Sequence, residues 1–82
     1  MSDTLATIRT VLAEQGRLSV DAQTVSETAD LYAAGLTSHA TINVVLGLEN
    51  AFDIELPDEL LVKSTFETIA AISAAVESEL GA

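Results

Sequence analysis

The stretch Gly35-Leu36-Thr37-Ser38-His39-Ala40-Thr41-Ile42-Asn43-Val44-Val45-Leu46-Gly47-Leu48-Glu49-Asn50-Ala51-Phe52 decides how the chain is read. Ile42, Val45 and Leu46 fall on one side of a helix with Glu49, and Val44, Leu48 and Phe52 follow at four-residue spacing on the next. A helix from Ser38 to Phe52 is predicted, with a broad apolar arc. Ser38 stands at its entrance, and from local sequence alone it serves as the N-cap. A hydroxyl at a helix N-terminus is also a good place to hang a phosphate. The dipoles there turn their positive end outward, and several N–H groups lack intrahelical acceptors. The two roles are compatible. His39 follows Ser38 directly, and adjacent helical residues do not face one another, so a Ser–His nucleophile pair is not expected.

Upstream, Leu5, Ile8, Val11 and Leu12 recur at three- and four-residue spacing and predict a first helix from Thr4 to Gln15, with Gly16 as its C-cap. Residues 16–37 form a long connection. Its apolar residues Leu18, Val20, Val25, Leu31, Tyr32 and Leu36 show no sustained period, which suggests a loop packed on the helices with short turns near 22–25 and 29–33. Downstream, Pro57 fits the first position of a short third helix ending at Val62 or Lys63. Ser64-Thr65-Phe66-Glu67 reads as a capping box. It opens a fourth helix with the stripe Phe66, Ile69, Ile72 and Val76, closed before Gly81. The expectation is one all-α domain over residues 1–82, a four-helix bundle with a long first loop and a short third helix.

The bulk composition narrows the function. Three basic residues stand against thirteen acidic ones, a formal net charge of −10, so the chain should repel nucleic acid and anionic membranes and approach basic patches on proteins. There is no Cys, which removes thiol chemistry and Cys-based zinc sites. Hydrophobic residues make up 49% of the chain, too many for a disordered one. No apolar run is long enough to span a membrane. Met1-Ser2-Asp3-Thr4 lacks a charged-then-greasy leader pattern. A soluble, monomeric cytoplasmic protein is expected, with no nucleic-acid partner and no membrane insertion. Asp53, Glu55, Asp58 and Glu59 cluster around Pro57 without the spacing of a calcium loop, and read as a solvated docking face.

Taken together, Asp30-Leu31, Gly35-Leu36, Ser38, Thr41-Ile42, Leu48-Glu49, Phe52 and Ile54-Glu55-Leu56-Pro57-Asp58-Glu59 resemble an acyl carrier protein, from Leu5 to about Val76. The resemblance implies the acyl-carrier type of four-helix fold and a 4′-phosphopantetheine arm, covalently attached to Ser38 by a phosphopantetheinyl transferase that uses coenzyme A and Mg²⁺. The arm's thiol would hold acyl groups as thioesters, so a chain without Cys could still carry sulfur chemistry. The implied protein is not an enzyme but a carrier that presents cargo to acyl-loading and acyl-transferring enzymes. No resident metal is implied. Thr37, His39, Ala40, Val44 and Glu49 are implied at the docking surface. Ile42, Leu46, Leu48, Phe52, Ile54, Leu61 and Ile69 are candidate lining residues of an acyl cavity.

The chain also departs from the family pattern. The family usually places Asp before the modified Ser and Leu after it, where this chain has Thr37 and His39. Three positions often acidic in carriers of fatty acid synthesis are Ala40, Asn43 and Asn50. Fewer interface charges should change partner choice. A specialised carrier in a lipid or secondary-metabolite pathway is the first expectation. The alternatives are an aminoacyl or polyketide carrier with the same arm, or an unmodified carrier-like module that only binds proteins.

Overall fold

The computed structural model describes residues 2–81, and the side chains from Thr4 onward. Met1 and Ala82, the ends of the expected 1–82 domain, lie outside the described residues, as do the side chains in which the leader pattern was sought. Three α-helices carry the fold: α1 (Ser2–Val11), α2 (Ser38–Phe52) and α3 (Ile69–Leu80). No strand occurs among the described residues. No helix among them is long and apolar enough to cross a membrane.

The first helix widens into a π turn before it ends. After Val11 the chain makes a π-helical turn over Leu12–Gly16, and the left-handed residue that ends it is Arg17, at φ 53°. Gly16 is therefore the last residue inside the turn, and the C-cap expectation was one position early. Ile8, Val11 and Leu12 are buried, as the spacing predicted, and Leu5 packs beside them.

The long connection is a packed loop, without a helix of its own. Ala22, Leu31 and Leu36 are buried. Its backbone polar groups find acceptors and donors on the helices. The Arg9 guanidinium donates to the carbonyls of Ala22 (3.0 Å) and Val25 (2.7 Å). Leu31 N–H donates to the Glu67 carbonyl at 2.7 Å, and Ala70 N–H to that of Glu27 at 3.0 Å. The Asp30 carboxylate accepts from the N–H groups of Tyr32 (2.9 Å) and Ala33 (3.3 Å) and closes the turn before Gly35. Gly35 has φ +112°, and a Cβ there would lie 3.1 Å from Ser19 N. Only glycine makes that turn without strain.

The expected third helix is a 3₁₀ turn over Asp58–Leu60, and a second 3₁₀ turn covers Lys63–Phe66. Among the described residues there are three α-helices, not the expected four. Pro57 precedes the first turn with an extended backbone (ψ 156°) instead of starting an α-helix. The Ser64–Glu67 capping box is not formed. Thr68 caps the last helix, its Oγ1 accepting from Ala71 N–H at 3.0 Å. Phe66 is buried from the 3₁₀ turn, so the chain reaches the core there before the helix begins. Ile69, Ile72 and Val76 are buried along α3.

Helix α2 packs on α1 and its π turn, and α1 packs on α3, whereas α2 and α3 barely touch. The close approach of α1 and α2 occurs at Gly47, where an added Cβ would come within 2.9 Å of Val11 Cγ1. Val11 is buried and β-branched, so it cannot swing aside. Gly47→Ala should therefore destabilise the protein in urea unfolding. Overpacking costs about 1–3 kcal/mol, which outweighs the roughly 1 kcal/mol that Ala gains in helix propensity. In a Val11→Ala background the same change should become stabilising, which a double-mutant cycle reads directly.

Candidate functional site

The start of α2 is fixed one residue before Ser38. Thr37 has an extended backbone (φ −100°, ψ 164°), and its Oγ1 accepts from Ala40 N–H at 3.0 Å. Its carbonyl accepts from both the N–H (2.9 Å) and the Oγ1–H (2.7 Å) of Thr41. Thr37, not Ser38, is the N-cap. Ser38 occupies the first helical position, exposed, with its hydroxyl released from capping. The N–H groups of Ser38 and His39 belong to the first turn, where a helix offers them no acceptor. A tethered anion meets these dipoles head on.

Beside this terminus lies an open groove of about 620 Å³. Thr37 and Ser38 line it together with Thr41, Ile42, Val45 and Leu46 of α2. Leu61 and Val62, between the two 3₁₀ turns, and Lys63 and Phe66 of the second turn face them, and Tyr32 and Leu36 complete the lining. Large apolar side chains around it stand in water: Ile42 is 62% exposed, Leu46 54%, Val62 48% and Leu61 42%. The Lys63 ammonium sits 5.1 Å from the centroid of the Tyr32 ring, within cation–π range.

The residues singled out from sequence are distributed as follows. Ser38, Thr37, Ile42, Leu46 and Leu61 meet at the groove. Leu48 and Ile69, expected to line a cavity, are fully buried core residues, and Phe52 and Ile54 pack half-buried against that core, away from the groove. Ala40 (3% exposed) and Val44 (0%) belong to the core as well and present nothing to a docking partner. The seam of α2 that faces the interior runs 40-44-48, and it includes two residues of one of the two adjacent apolar seams legible in the sequence. His39 is exposed. Glu49 is turned inward: its Oε2 accepts from Leu56 N–H at 2.9 Å, tying the loop after α2 back to the helix. Asp53 of the acidic cluster is the left-handed C-cap of α2, its N–H donating to the Glu49 carbonyl. No group of three or more His, Asp or Glu among the described residues could hold a metal ion. Sequence reasoning missed Tyr32, Val45, Val62, Lys63 and Phe66 as groove residues. The one available signal was the scarcity of cations: Lys63 is the only basic residue beyond Arg17.

The model of the phosphopantetheine attachment site family matches residues 6–76. The chain belongs to the phosphopantetheine-binding carrier proteins. Its cofactor is 4′-phosphopantetheine, covalently attached. The site fits that group: an exposed hydroxyl on the first residue of a helix, unpaired first-turn N–H groups, and an apolar groove opening beside them. The chain is 50% identical over 72 residues to an aminoacyl carrier protein from Agrobacterium fabrum, covering 88% of this chain and 87% of the relative. Among solved structures, the complex of an engineered Bradyrhizobium japonicum glycine:[carrier protein] ligase with a carrier protein from Agrobacterium tumefaciens and AMP matches with a TM-score of 0.85 at 49% identity, over 89% of this chain and 97% of the matched one. The corresponding ATP complex matches with a TM-score of 0.87 at 48% identity, over 92% and 97%. A solution structure from Agrobacterium tumefaciens matches at 0.75 and 48% identity, over 94% and 93%. The fatty-acid and lipid expectation gives way at this point, because the curated relative is named for aminoacyl cargo.

Thr37 stands where the family commonly has Asp, and the cap explains why the fold tolerates the exchange: either side chain offers an oxygen to the third residue of the helix. Thr37→Ala should cost about 1 kcal/mol of stability in urea unfolding. Thr37→Asp should retain or raise stability, since it keeps the oxygen and adds a charge that favours the helix start.

Proposed function

We propose that this chain is an aminoacyl carrier: Ser38 bears the arm, and an ATP-dependent amino acid:carrier ligase loads it. A phosphopantetheinyl transferase supplies the arm from coenzyme A: Ser38 Oγ gives up its proton and attacks the β-phosphate, the pyrophosphate bond breaks, 3′,5′-ADP leaves, and phosphopantetheine stays on the serine as a phosphodiester. The arm provides the thiol that the chain itself lacks, and the amino acid is held on it as a thioester. The chain performs no chemistry of its own. It acts as a monomer in the cytoplasm, a setting that suits a protein without Cys. Thr37 and His39 border the attachment point and meet the partner enzymes there.

The observation that carries this reading is the 50% identity, across 88% of the chain, to a carrier named for aminoacyl cargo. Two further features support it. Of the α2 positions that are often acidic in fatty-acid carriers, Asn43 and Asn50 are neutral and Ala40 is buried, and Glu49 is bound to Leu56 N–H. The exposed face of α2 therefore offers little charge to the basic grooves of fatty-acid enzymes, and a dedicated partner is the better match. The relative's complexes with a glycine ligase supply a partner of the right kind.

The modified chain, incubated with a glycine:carrier ligase, ATP and an equimolar mixture of amino acids, should gain the mass of one aminoacyl group. Ser38→Ala should gain none. Loading by a fatty acyl synthetase with no aminoacyl product in the parallel reaction would contradict the reading.

A further inference from the structure

The chain has thirteen acidic side chains, yet among the described residues none lines the groove that opens at Ser38. Among the described residues the lining carries a single charge, the Lys63 ammonium over Tyr32. The other two cations are placed elsewhere. Arg9 is bound to loop carbonyls, and Arg17 lines a smaller depression beside Leu12 and Val20. In a protein this acidic, a groove without acids is chemically distinct from the rest of the surface. Ile42, Leu46, Leu61 and Val62 leave a contiguous apolar surface in water beside the attachment point, a feature that marks a binding site.

The occupant follows from where the groove opens. Ser38 is itself part of the lining, so any group joined to Oγ begins inside it. A neutral chain of amides and methylenes can lay its apolar parts on Ile42, Leu46, Leu61 and Val62. The Thr37 and Thr41 hydroxyls, which also line the groove, supply polar neighbours. The volume of about 620 Å³ lies within the usual range for small-molecule pockets. An amino acid esterified through its carboxyl changes that balance, because its α-amine is protonated near neutral pH. Moving an ammonium out of water is costly unless a partner anion waits for it. This groove offers no carboxylate and presents the like charge of Lys63.

We propose that the groove shelters the arm while its end is neutral and rejects it once an amino acid is attached, so that loading itself turns the cargo out toward the next enzyme. The proposal rests on the aminoacyl reading above. Lys63 acts in it as a positioning residue that sorts cargo by charge. A carrier built for fatty cargo has the opposite need, since a neutral acyl tail would stay in the groove.

The test compares arms of nearly equal size and different charge. The chain is modified with a transferase using coenzyme A, or its amine analogue capped with either a glycyl or an acetyl group through a stable amide. Methyl spectra are recorded at pH 6.5, with intact mass confirming one arm per chain. The free-thiol and acetyl arms should shift the Ile42, Leu46, Leu61 and Val62 methyl resonances from their unmodified positions. The glycyl arm should return them most of the way. In Lys63→Glu, an exposed site where folding is not at stake, the glycyl arm should shift these methyls as the acetyl arm does. Methyl resonances indifferent to the arm, glycyl and acetyl arms with equal effects, or a Lys63→Glu chain that behaves as the wild type would each overturn the proposal while leaving the carrier function standing. A chain whose mass never rises by one arm contradicts the attachment reading and this proposal together.

Discussion

Helix α2 begins where it does because the Thr37 hydroxyl takes the Ala40 N–H and holds the Thr37 backbone extended. The rest of the site depends on that bond. It places Ser38 on the first helical position, with its hydroxyl unengaged and the positive end of fifteen aligned peptides beneath it. Leu36, one residue before the cap, is buried, and Gly35 turns the chain into it at φ +112°. Anchor, cap and proposed attachment point follow one another, so the exposed alcohol is held by a backbone that has little freedom to move. A flexible arm gains from such a root, because every partner meets it at the same place.

The loop of residues 16–37 brings that root to the right spot, and it is held by borrowed bonds. A loop of this length inside a small domain leaves many backbone groups to satisfy. Arg9 accepts none of this work from its own helix: its guanidinium reaches across to two loop carbonyls. Backbone pairs from Leu31 to Glu67 and from Glu27 to Ala70 join the loop to the approach and first turn of α3. Gaps in α-helical structure are thus filled by cross-links between segments distant in sequence. With α2 and α3 scarcely in contact, Leu61 and Val62, together with Lys63 and Phe66 of the second 3₁₀ turn, face α2 across an open groove instead of a packed seam.

How far the sequence could be read follows from the same physics. The span Ser38–Phe52 was legible because its apolar periodicity is local. The apolar stripes of α1 and α3 were legible for the same reason. The third helix was not, since Pro57 and three following residues can start an α-helix or a 3₁₀ turn equally well, and packing of Phe66 settles the choice. The Ser64 box lost to Thr68, an alternative cap four residues on, once Phe66 was pulled inward. Along α2 the sequence offers two adjacent apolar seams. Which one faces α1 depends on Gly47 meeting Val11, a contact between residues 36 apart in the chain. Ala40 and Val44 were therefore assigned to the surface and Leu48 to a cavity, when all three are core. Glu49 looked like a docking charge because its partner, Leu56 N–H, lies in a loop whose path only the fold reveals. Ser38 was singled out through its neighbours, and the N-cap it was expected to provide is provided by Thr37, one residue earlier.

The account joins a small set of physical facts: a capped helix start, a free hydroxyl, an apolar groove without acids, and a family whose cofactor supplies the missing sulfur. Its central claim is that the hydroxyl of Ser38 is the one that bears the cofactor. The most direct measurement is peptide mapping by tandem mass spectrometry of the chain purified from its own cells. The account predicts one phosphopantetheine on the peptide containing Ser38, with fragment ions placing it on that residue and leaving Thr37 and Thr41 unmodified. A chain recovered without the arm, or with the arm on any other hydroxyl, would contradict it.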